Sequence, residues 1–167
     1  ATLCGIPYRE IPLKEDFTIG IDDYKNKGKL VVIANPNAPT GIALSLSEIE
    51  EIVKQNPDSV VLIDEAYVDF GGESCYKLTE KYENLLCVGT FSKSRSLAGG
   101  RLGFAIANEN LIKDLEKIKY STNPYSINRL TQVAGFATIK DNDYYLENCE
   151  KIVKTREFAT EELRKLG

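Results

Sequence analysis

Residues 60–65 read VVLIDE, a short run of apolar and mostly β-branched side chains that ends in two carboxylates. Such a run, bounded by polar residues, predicts a buried strand, because its length is too short for a helix. Two other runs have the same form: residues 30–34 lead into an Asn-Pro-rich loop, and residues 85–88 lead into Gly89-Thr90. Three buried strands that each end in polar residues indicate a parallel sheet with functional loops at one edge.

Helical patterns alternate with these strands. Ser47 and Glu50 have the spacing of a capping box, which predicts that a helix begins at Ser47. We expect a fourth strand over residues 102–106 and three helices after it. The chain therefore predicts an α/β fold with three α/β/α layers around a largely parallel sheet.

The less regular segments also allow predictions. The first strand, residues 30–34, is apolar throughout, so we expect it to be buried on both faces. We expect strand structure at Ala1 and one or two short edge strands over residues 4–13. The acidic segment from Phe17 to Asn26 is expected to form a short helix.

The composition is that of an ordinary globular chain. With 43% hydrophobic and 28% charged residues, it excludes disordered and collagenous proteins, and 167 residues predict one domain. A net charge of −4 disfavours nucleic-acid partners, because phosphate binding needs concentrated Lys and Arg. No apolar run could span a bilayer and no secretory leader is visible, so we expect a cytoplasmic protein with no membrane partner.

Histidine and methionine are both absent from the sequence. Without histidine there is no Ser-His-Asp triad and no histidine-ligated zinc, so acid–base chemistry would fall to Lys, Tyr, Asp, Glu or Cys. The four cysteines form no C-x-x-C pair, and we expect reduced, mostly buried thiols and no metal site. The lack of a methionine and the apparent strand at Ala1 suggest a piece of a longer protein.

Two nucleotide-binding alternatives fit the sequence poorly. Residues 60–65 match a Walker B strand, but the lysine of Lys93-Ser94 has no preceding glycine loop and follows the acidic strand, the reverse of the usual order. Residues 99–103, GGRLG, are not the G-x-G-x-x-G dinucleotide fingerprint, and they precede a strand where the fingerprint should follow one.

A third chemistry accounts for more of these residues. Lys93 follows a buried strand among hydroxyls and near an arginine, a setting suited to a Schiff base. Pyridoxal phosphate needs a lysine for its aldehyde, a carboxylate for its ring nitrogen, a donor to its phenolate oxygen, and hydroxyls with a cation for its phosphate. The residues that match these roles are, in that order, Lys93, Asp64, Tyr67, and the set Thr90, Ser92 and Arg101.

Four linked motifs resemble the fold-type I pyridoxal-phosphate aminotransferases: NPNAPTG at 35–41, DEAY at 64–67, TFSK at 90–93 and LAGGRLG at 97–103. The stretches DEAYVDF, TFSK and NPYSIN look most like the histidinol-phosphate aminotransferases within that superfamily. The resemblance covers nearly the whole chain. It implies that residues 1–167 are the second half of the cofactor-binding large domain, with the first part of that domain and the small domain outside this chain.

The resemblance also implies a role for each residue. Lys93 would bond to the aldehyde and then move the proton of the 1,3-shift, Asp64 would pair with the ring nitrogen, and Tyr67 would donate to the phenolate oxygen. The phosphate would be held by Ser92, Arg101 and Thr90.

One position departs from the family pattern. The residue before Pro-Thr-Gly is usually an asparagine whose amide also meets the phenolate oxygen, and here it is Ala38. Asn37 or Asn35 would take over this contact, or the contact would be missing.

The implied activity is transamination between histidinol phosphate and 2-oxoglutarate, giving imidazole-acetol phosphate and glutamate in histidine biosynthesis. The implied partners are a small amino donor, a 2-oxo acid and a second copy of the chain in a homodimer. Two alternatives remain open: a threonine-phosphate decarboxylase with the same cofactor frame, and an inactive fragment that serves only as a scaffold.

Four other polar residues carry no functional prediction. Tyr144 and Tyr145 are interpreted as packing residues on a helix face. Arg129 and Arg156 are interpreted as salt-bridging or helix-surface groups.

Overall fold

A mixed four-stranded sheet forms the centre of the computed structural model, which describes residues 1–25, 28 and 30–167. The strands lie in the order β1-β2-β3-β4, with the first three parallel and β4 antiparallel to β3. Their bounds are β1 Leu30–Ala34, β2 Val60–Asp64, β3 Leu85–Thr90 and β4 Gly103–Ala107. The predicted α/β class and largely parallel sheet are confirmed.

Four α-helices accompany the sheet. They are α1 Leu46–Lys54, α2 Glu109–Thr122, α3 Arg129–Lys140 and α4 Asn142–Leu166. Short 3-10 turns lie at Thr2–Cys4, Ile21–Tyr24, Tyr76–Glu80 and Ala98–Gly100. None of the helices in the described ranges is long and apolar enough to cross a membrane.

The core lies between the sheet and α1. Alternate residues of a strand point to the same face, and here one face of β1, β2 and β3 meets the apolar side of α1. Burying each Val, Ile or Leu side chain contributes about 1.5–3 kcal/mol, so this interface is the main source of stability. Its fully covered members are Val31, Ile33, Val61, Ile63, Leu85 and Cys87 from the sheet and Ile49, Ile52 and Val53 from α1.

The prediction that β1 is buried on both faces is wrong. Val31 and Ile33 are buried against α1, whereas Leu30 and Val32, on the other face, are each 58% exposed. The apolar run was correctly interpreted as a strand, but no described element covers its second face. A continuous apolar sequence shows that both faces can be buried, and only the tertiary structure shows whether they are.

The first helix begins two residues earlier than predicted. Ser45 is the N-cap: its hydroxyl accepts from the backbone N–H of Glu48, and the Glu48 carboxylate accepts from the backbone N–H of Ser45. The S-x-x-E spacing occurs twice here, and starting at Ser45 adds Leu46 to the helix face that packs on the core. Glu50, the predicted capping partner, instead binds Lys81 and the Tyr82 hydroxyl, which hold its pKa at about 2.

The predictions for the N-terminal segment are also wrong. Residues 1–25 contain no strand; the chain starts with the 3-10 turn Thr2–Cys4, and most of its side chains are exposed. A strand needs a neighbour for its backbone hydrogen bonds, and this segment has none. The helix predicted over Phe17 to Asn26 is reduced to the turn Ile21–Tyr24, and Asn26 lies outside the described residues.

A close contact between β3 and β4 shapes the loop that joins them. Gly89 lies opposite Phe104 in the register, and a Cβ on Gly89 would lie 2.3 Å from the Phe104 ring. The ring can cover the glycine only because no side chain is present there. Phe91 packs edge-on against the same ring, with centroids 6.1 Å apart, and so closes the base of the loop over residues 91–102.

Candidate active site

The predicted site residues lie along one edge of the sheet. The register places Asp64 between Ala34 of β1 and Val88 of β3, and it places Thr90 opposite Gly103 of β4. The carboxyl ends of the three parallel strands therefore meet the beginning of β4, and the loops that leave these positions carry the four motifs. This arrangement agrees with the expectation that functional loops of an α/β sheet gather at the carboxyl edge.

Lys93 and Tyr67 come together across this edge. The Lys93 amine lies 5.1 Å from the centroid of the Tyr67 ring, within the range of a cation–π contact. The turn after β2, with a bond from the Val68 N–H to the Glu65 carbonyl at 3.1 Å, turns Tyr67 back towards β3. Both side chains remain accessible, since Lys93 is exposed and Tyr67 is 37% exposed.

Asp64 ends β2 with its carboxylate half-buried. Its Oδ1 accepts from the Ala66 N–H at 3.0 Å, which orients the side chain as the strand becomes a turn. Within residues 1–25, 28 and 30–167 it has no salt-bridge partner, so its charge is free to pair with a ligand.

Thr90 and Ser92 shape the loop that carries Lys93. The Thr90 hydroxyl accepts from the Ser92 N–H at 3.0 Å and donates to the Leu102 carbonyl at 3.4 Å. This pairing links the two ends of the loop and leaves the Ser92 side chain half-buried beside the lysine.

Arg101 has a left-handed backbone, with φ of +52°. This conformation is uncommon for a residue with a side chain, and it ends the 3-10 turn Ala98–Gly100. Its guanidinium donates to the Ala98 carbonyl at 3.1 Å, and the Gly100 carbonyl accepts from the Thr131 hydroxyl at 3.1 Å. Helix α3 thus anchors the turn, while the Arg101 side chain stays exposed at the sheet edge.

Asn35 and Asn37 are the two candidates for the amide contact to the phenolate oxygen that Ala38 cannot make, and their surroundings differ. Asn35 is 2% exposed, and its side chain bonds both backbone groups of Leu44, so it closes its own loop. Asn37 is half-buried, with its amide nitrogen 2.7 Å from the Thr40 hydroxyl. The Asn37 side chain is therefore less buried and makes fewer hydrogen bonds within its own loop than the Asn35 side chain.

This donor set fits pyridoxal phosphate. A carboxylate, a primary amine, a phenol, two hydroxyls and a guanidinium share one sheet edge, and these are the groups that the cofactor needs. Asp64, Lys93 and Arg101 all lack ion-pair partners among the described residues. Their charges are not used to hold the fold together, which agrees with ligand binding.

Sequence reasoning missed a network directly behind Lys93. The Ser94 hydroxyl donates to Asp69, and the Arg95 guanidinium stacks 3.6 Å from the centre of the Tyr145 ring and donates to the Thr138 carbonyl at 2.8 Å. Burial, together with a hydrogen bond to Asp69, raises the pKa of Tyr145. The only sequence signal was that Ser94 and Arg95 directly follow the lysine, because Tyr145 lies 50 residues further along the chain.

The other residues without a functional prediction differ among themselves. The Tyr145 ring packs on Arg95, which agrees with its interpretation as a packing residue and makes it part of this network. The packing prediction for Tyr144 is wrong, because that side chain is 62% exposed. Arg156 donates to the Phe70 carbonyl at 2.8 Å and so ties α4 to the turn after β2. Arg129 lies exposed at the start of α3.

Comparison with known proteins gives a consistent family. The profile of the family described as aminotransferase class I and II matches residues 1–167. A histidinol-phosphate aminotransferase of Brachyspira hyodysenteriae is 60% identical over 159 residues, which cover 95% of this chain and 45% of that protein. The chain spans about half the length of the relatives that it matches.

Solved structures share the fold. The histidinol-phosphate aminotransferase of Clostridium acetobutylicum superposes with a TM-score of 0.83 at 30% identity, covering 93% of this chain and 48% of that one. The Sinorhizobium meliloti enzyme, solved with pyridoxal-5'-phosphate, has a TM-score of 0.70 at 26% identity, covering 77% and 35%. An L-threonine-O-3-phosphate decarboxylase of Porphyromonas gingivalis has a TM-score of 0.57 at 28% identity, covering 66% and 34%.

Proposed function

This chain belongs to the class I and II aminotransferases, and on that basis we propose that the protein is a pyridoxal-phosphate-dependent histidinol-phosphate aminotransferase. The reaction converts histidinol phosphate and 2-oxoglutarate into imidazole-acetol phosphate and glutamate, a step of histidine biosynthesis. The observation that carries the proposal is 60% identity to a histidinol-phosphate aminotransferase over 95% of this chain. The charges of Asp64, Lys93 and Arg101 at one sheet edge, which form no ion pair within residues 1–25, 28 and 30–167, support it.

Each residue has a proposed role at that edge. When bound, the cofactor supplies an aldehyde that exchanges amino groups and a ring that withdraws electrons. Lys93 would hold the cofactor through its aldehyde and would carry a proton during turnover, and Asp64 would pair with the ring nitrogen and keep it protonated. Tyr67 would donate to the phenolate oxygen, and Asn37 is proposed as a second contact to that oxygen. The residues proposed to hold the phosphate are Thr90, Ser92 and Arg101.

We further propose the setting of this site. Residues 1–167 form part of the cofactor-binding large domain, the protein works as a homodimer, and it resides in the cytoplasm. The dimer rests on the family resemblance and is tested by light scattering of the purified protein. The four free cysteines, three of them buried, suit a reducing compartment, which cell fractionation tests.

The assignment of Lys93 has a direct chemical test. Borohydride reduction of the holoenzyme fixes the cofactor to the lysine that carries it, and peptide mapping identifies that residue. We expect the label on the peptide that contains Lys93, and a Lys93→Ala variant should yield no label at that peptide. A label on any other lysine would remove Lys93 from its role.

The substrate is tested by separate half-reactions. Absorbance distinguishes the aldehyde and amine forms of the cofactor, so each amino donor can be offered alone. Histidinol phosphate should convert the aldehyde form to the amine form, and 2-oxoglutarate should reverse the change. Release of carbon dioxide from threonine phosphate, with no response to histidinol phosphate, would support the decarboxylase that shares this fold. A protein that binds cofactor but responds to neither would favour a scaffold.

A further inference from the structure

Three metal-ligating side chains that are far apart in the sequence meet behind the sheet edge. Glu65 follows β2, Cys75 precedes the 3-10 turn Tyr76–Glu80, and Cys87 lies in the middle of β3. One carboxylate oxygen and the two sulfur atoms all lie within 4.8 Å of one another. The three residues are 5%, 0% and 1% exposed, so the cluster is removed from bulk water.

The Glu65 carboxylate is buried without a cation. Its oxygens accept from the Cys75 N–H at 2.6 Å and from the Ser74 hydroxyl, and no Lys or Arg of the described segments forms a salt bridge with it. A buried carboxylate is normally paired with a positive group or bound to a metal. Here two thiols lie within 4.8 Å of a carboxylate oxygen, and thiols are good ligands for soft metal ions.

The Cys87 thiol holds its proton strongly in these surroundings. A hydrogen bond with Cys75, burial and the nearby Glu65 raise the pKa of the Cys87 thiol. A metal ion would have to displace this proton, because thiolate is the form that binds metals.

We propose that Glu65, Cys75 and Cys87 form a binding site for a thiophilic divalent cation such as Zn²⁺. Two metal–sulfur bonds and one metal–oxygen bond form, and two protons leave the thiols for solvent, with no change of oxidation state. Counted as one carboxylate and two thiols, the three side chains have a formal charge of −1. Counted as one carboxylate and two thiolates around a doubly charged ion, the site has the same formal charge, so the step balances in charge.

The surroundings leave room for a complete coordination shell. Zinc in proteins takes four ligands, at about 2.3 Å for sulfur, so tetrahedral sulfur atoms lie roughly 3.8 Å apart. The three ligand atoms of the cluster lie within 4.8 Å of one another, which is close to this spacing. An open cavity of about 290 Å³, lined in part by Glu65, Ser74 and Cys87, can supply a water molecule as the fourth ligand and a path for the ion.

This site is independent of the proposed transamination. It lies behind the edge that carries the cofactor-binding groups, since Cys87 pairs in the sheet with Ile63, the residue before Asp64. A bound ion would cross-link β2, β3 and the turn between them, and it would therefore stabilise the folded state by mass action.

The test uses Cd²⁺ as an optical probe and Zn²⁺ in competition. The purified, reduced and metal-free protein is titrated in buffer without phosphate, and the thiolate-to-cadmium absorption band is followed. We expect one equivalent to bind, Zn²⁺ to displace it, and Cys75→Ser and Glu65→Gln to weaken binding at least about tenfold, as loss of a metal ligand should. Cys149→Ser is the matched control, because it removes a buried thiol from α4 and should leave the titration unchanged.

A second measurement uses only the unaltered protein, in case a variant fails to fold. Zn²⁺ should slow alkylation of Cys75 and Cys87 at least about tenfold, while exposed Cys4 reacts at the same rate with and without the ion. Absence of the cadmium band together with unprotected Cys75 and Cys87 would overturn the proposal. So would a band that survives Cys75→Ser but disappears in Cys149→Ser.

Discussion

The Asp64 carboxylate is held by the Ala66 N–H on one oxygen and lacks an ion-pair partner in the described chain. An Asp64→Asn substitution keeps an oxygen for that hydrogen bond, so the strand end should remain intact. The neutral amide cannot keep a proton on the ring nitrogen of the cofactor. We expect turnover to fall by roughly 10²–10³-fold, as when a key electrostatic group is removed, while the phosphate groups still retain cofactor.

Steady-state kinetics and cofactor absorbance measure these two effects separately. The Asp64→Glu variant is the control that keeps the charge and changes only the length of the side chain. Equal turnover in the wild-type protein and in Asp64→Asn would exclude Asp64 from the mechanism.

Arg101 allows stability and ligand binding to be tested separately. The left-handed backbone of Arg101 suits glycine, so Arg101→Gly relieves strain in the folded state. Glycine also gives the unfolded chain more conformational freedom, which lowers the free energy of unfolding and offsets that gain. We expect the free energy of unfolding to change by less than about 1 kcal/mol. Loss of a charged hydrogen bond worth about 1.5–3 kcal/mol should weaken cofactor binding by about 10–100-fold.

Cofactor titration of the apoprotein and urea denaturation measure these quantities. Arg101→Lys, which keeps the positive charge, should lose less affinity than Arg101→Gly. Unchanged cofactor affinity in Arg101→Gly would argue against a phosphate contact.

At the scale of single elements, two S-x-x-E patterns compete to cap the start of α1, one beginning at Ser45 and the other at Ser47. Ser45→Ala removes the side-chain cap that bonds the Glu48 N–H and should destabilise the protein by about 1 kcal/mol in urea denaturation. Ser47→Ala is the matched control at the second residue of the helix, and it should change stability by less than about 0.5 kcal/mol. A larger loss from Ser47→Ala would place the cap where the sequence pattern first suggested.

Helix α4 should hold the loop that carries Lys93. Tyr145→Ala removes the ring stacked on Arg95 and should destabilise the protein by at least about 0.5–1 kcal/mol, the value of the cation–π contact alone. It should also lower the rate of borohydride trapping at Lys93, because the turn loses its support. Tyr145→Phe keeps the ring and should trap at nearly the wild-type rate. Equal trapping in all three proteins would show that the network does not position the lysine.

For the whole molecule, the sheet is covered unequally. Val31 and Val32 are neighbours of the same type on opposite faces of β1, at 4% and 58% exposure. Val31→Thr places a hydroxyl in the core beside α1 and should destabilise this chain by about 1–3 kcal/mol. Val32→Thr should lie within about 0.5 kcal/mol of the wild type. Denaturation of the 167-residue chain compares them, and equal losses would mean that both faces are covered.

The sequence by itself determined the local features of this protein. Strands β2 and β3 follow from their apolar runs, and the lysine, carboxylate and tyrosine of the site follow from the positions where those runs end. These features depend on neighbouring residues, and the parallel sheet brings the strand ends to one edge. The motifs could therefore be predicted to form one site, with Lys93 and Asp64 proposed as its members, before any contact was known.

The tertiary structure decided which residues meet across long sequence separations. It chose Ser45 over Ser47 because Leu46 packs on the core, and it left Leu30 and Val32 exposed because no described element lies over them. It also closed the Asn35 loop on Leu44 and stacked Arg95 on Tyr145. It brought Glu65 together with Cys75 and Cys87. The periodicity of apolar residues specifies which face of a helix or strand is apolar. The element that packs against that face comes from a distant part of the sequence, so only the three-dimensional path of the chain decides it.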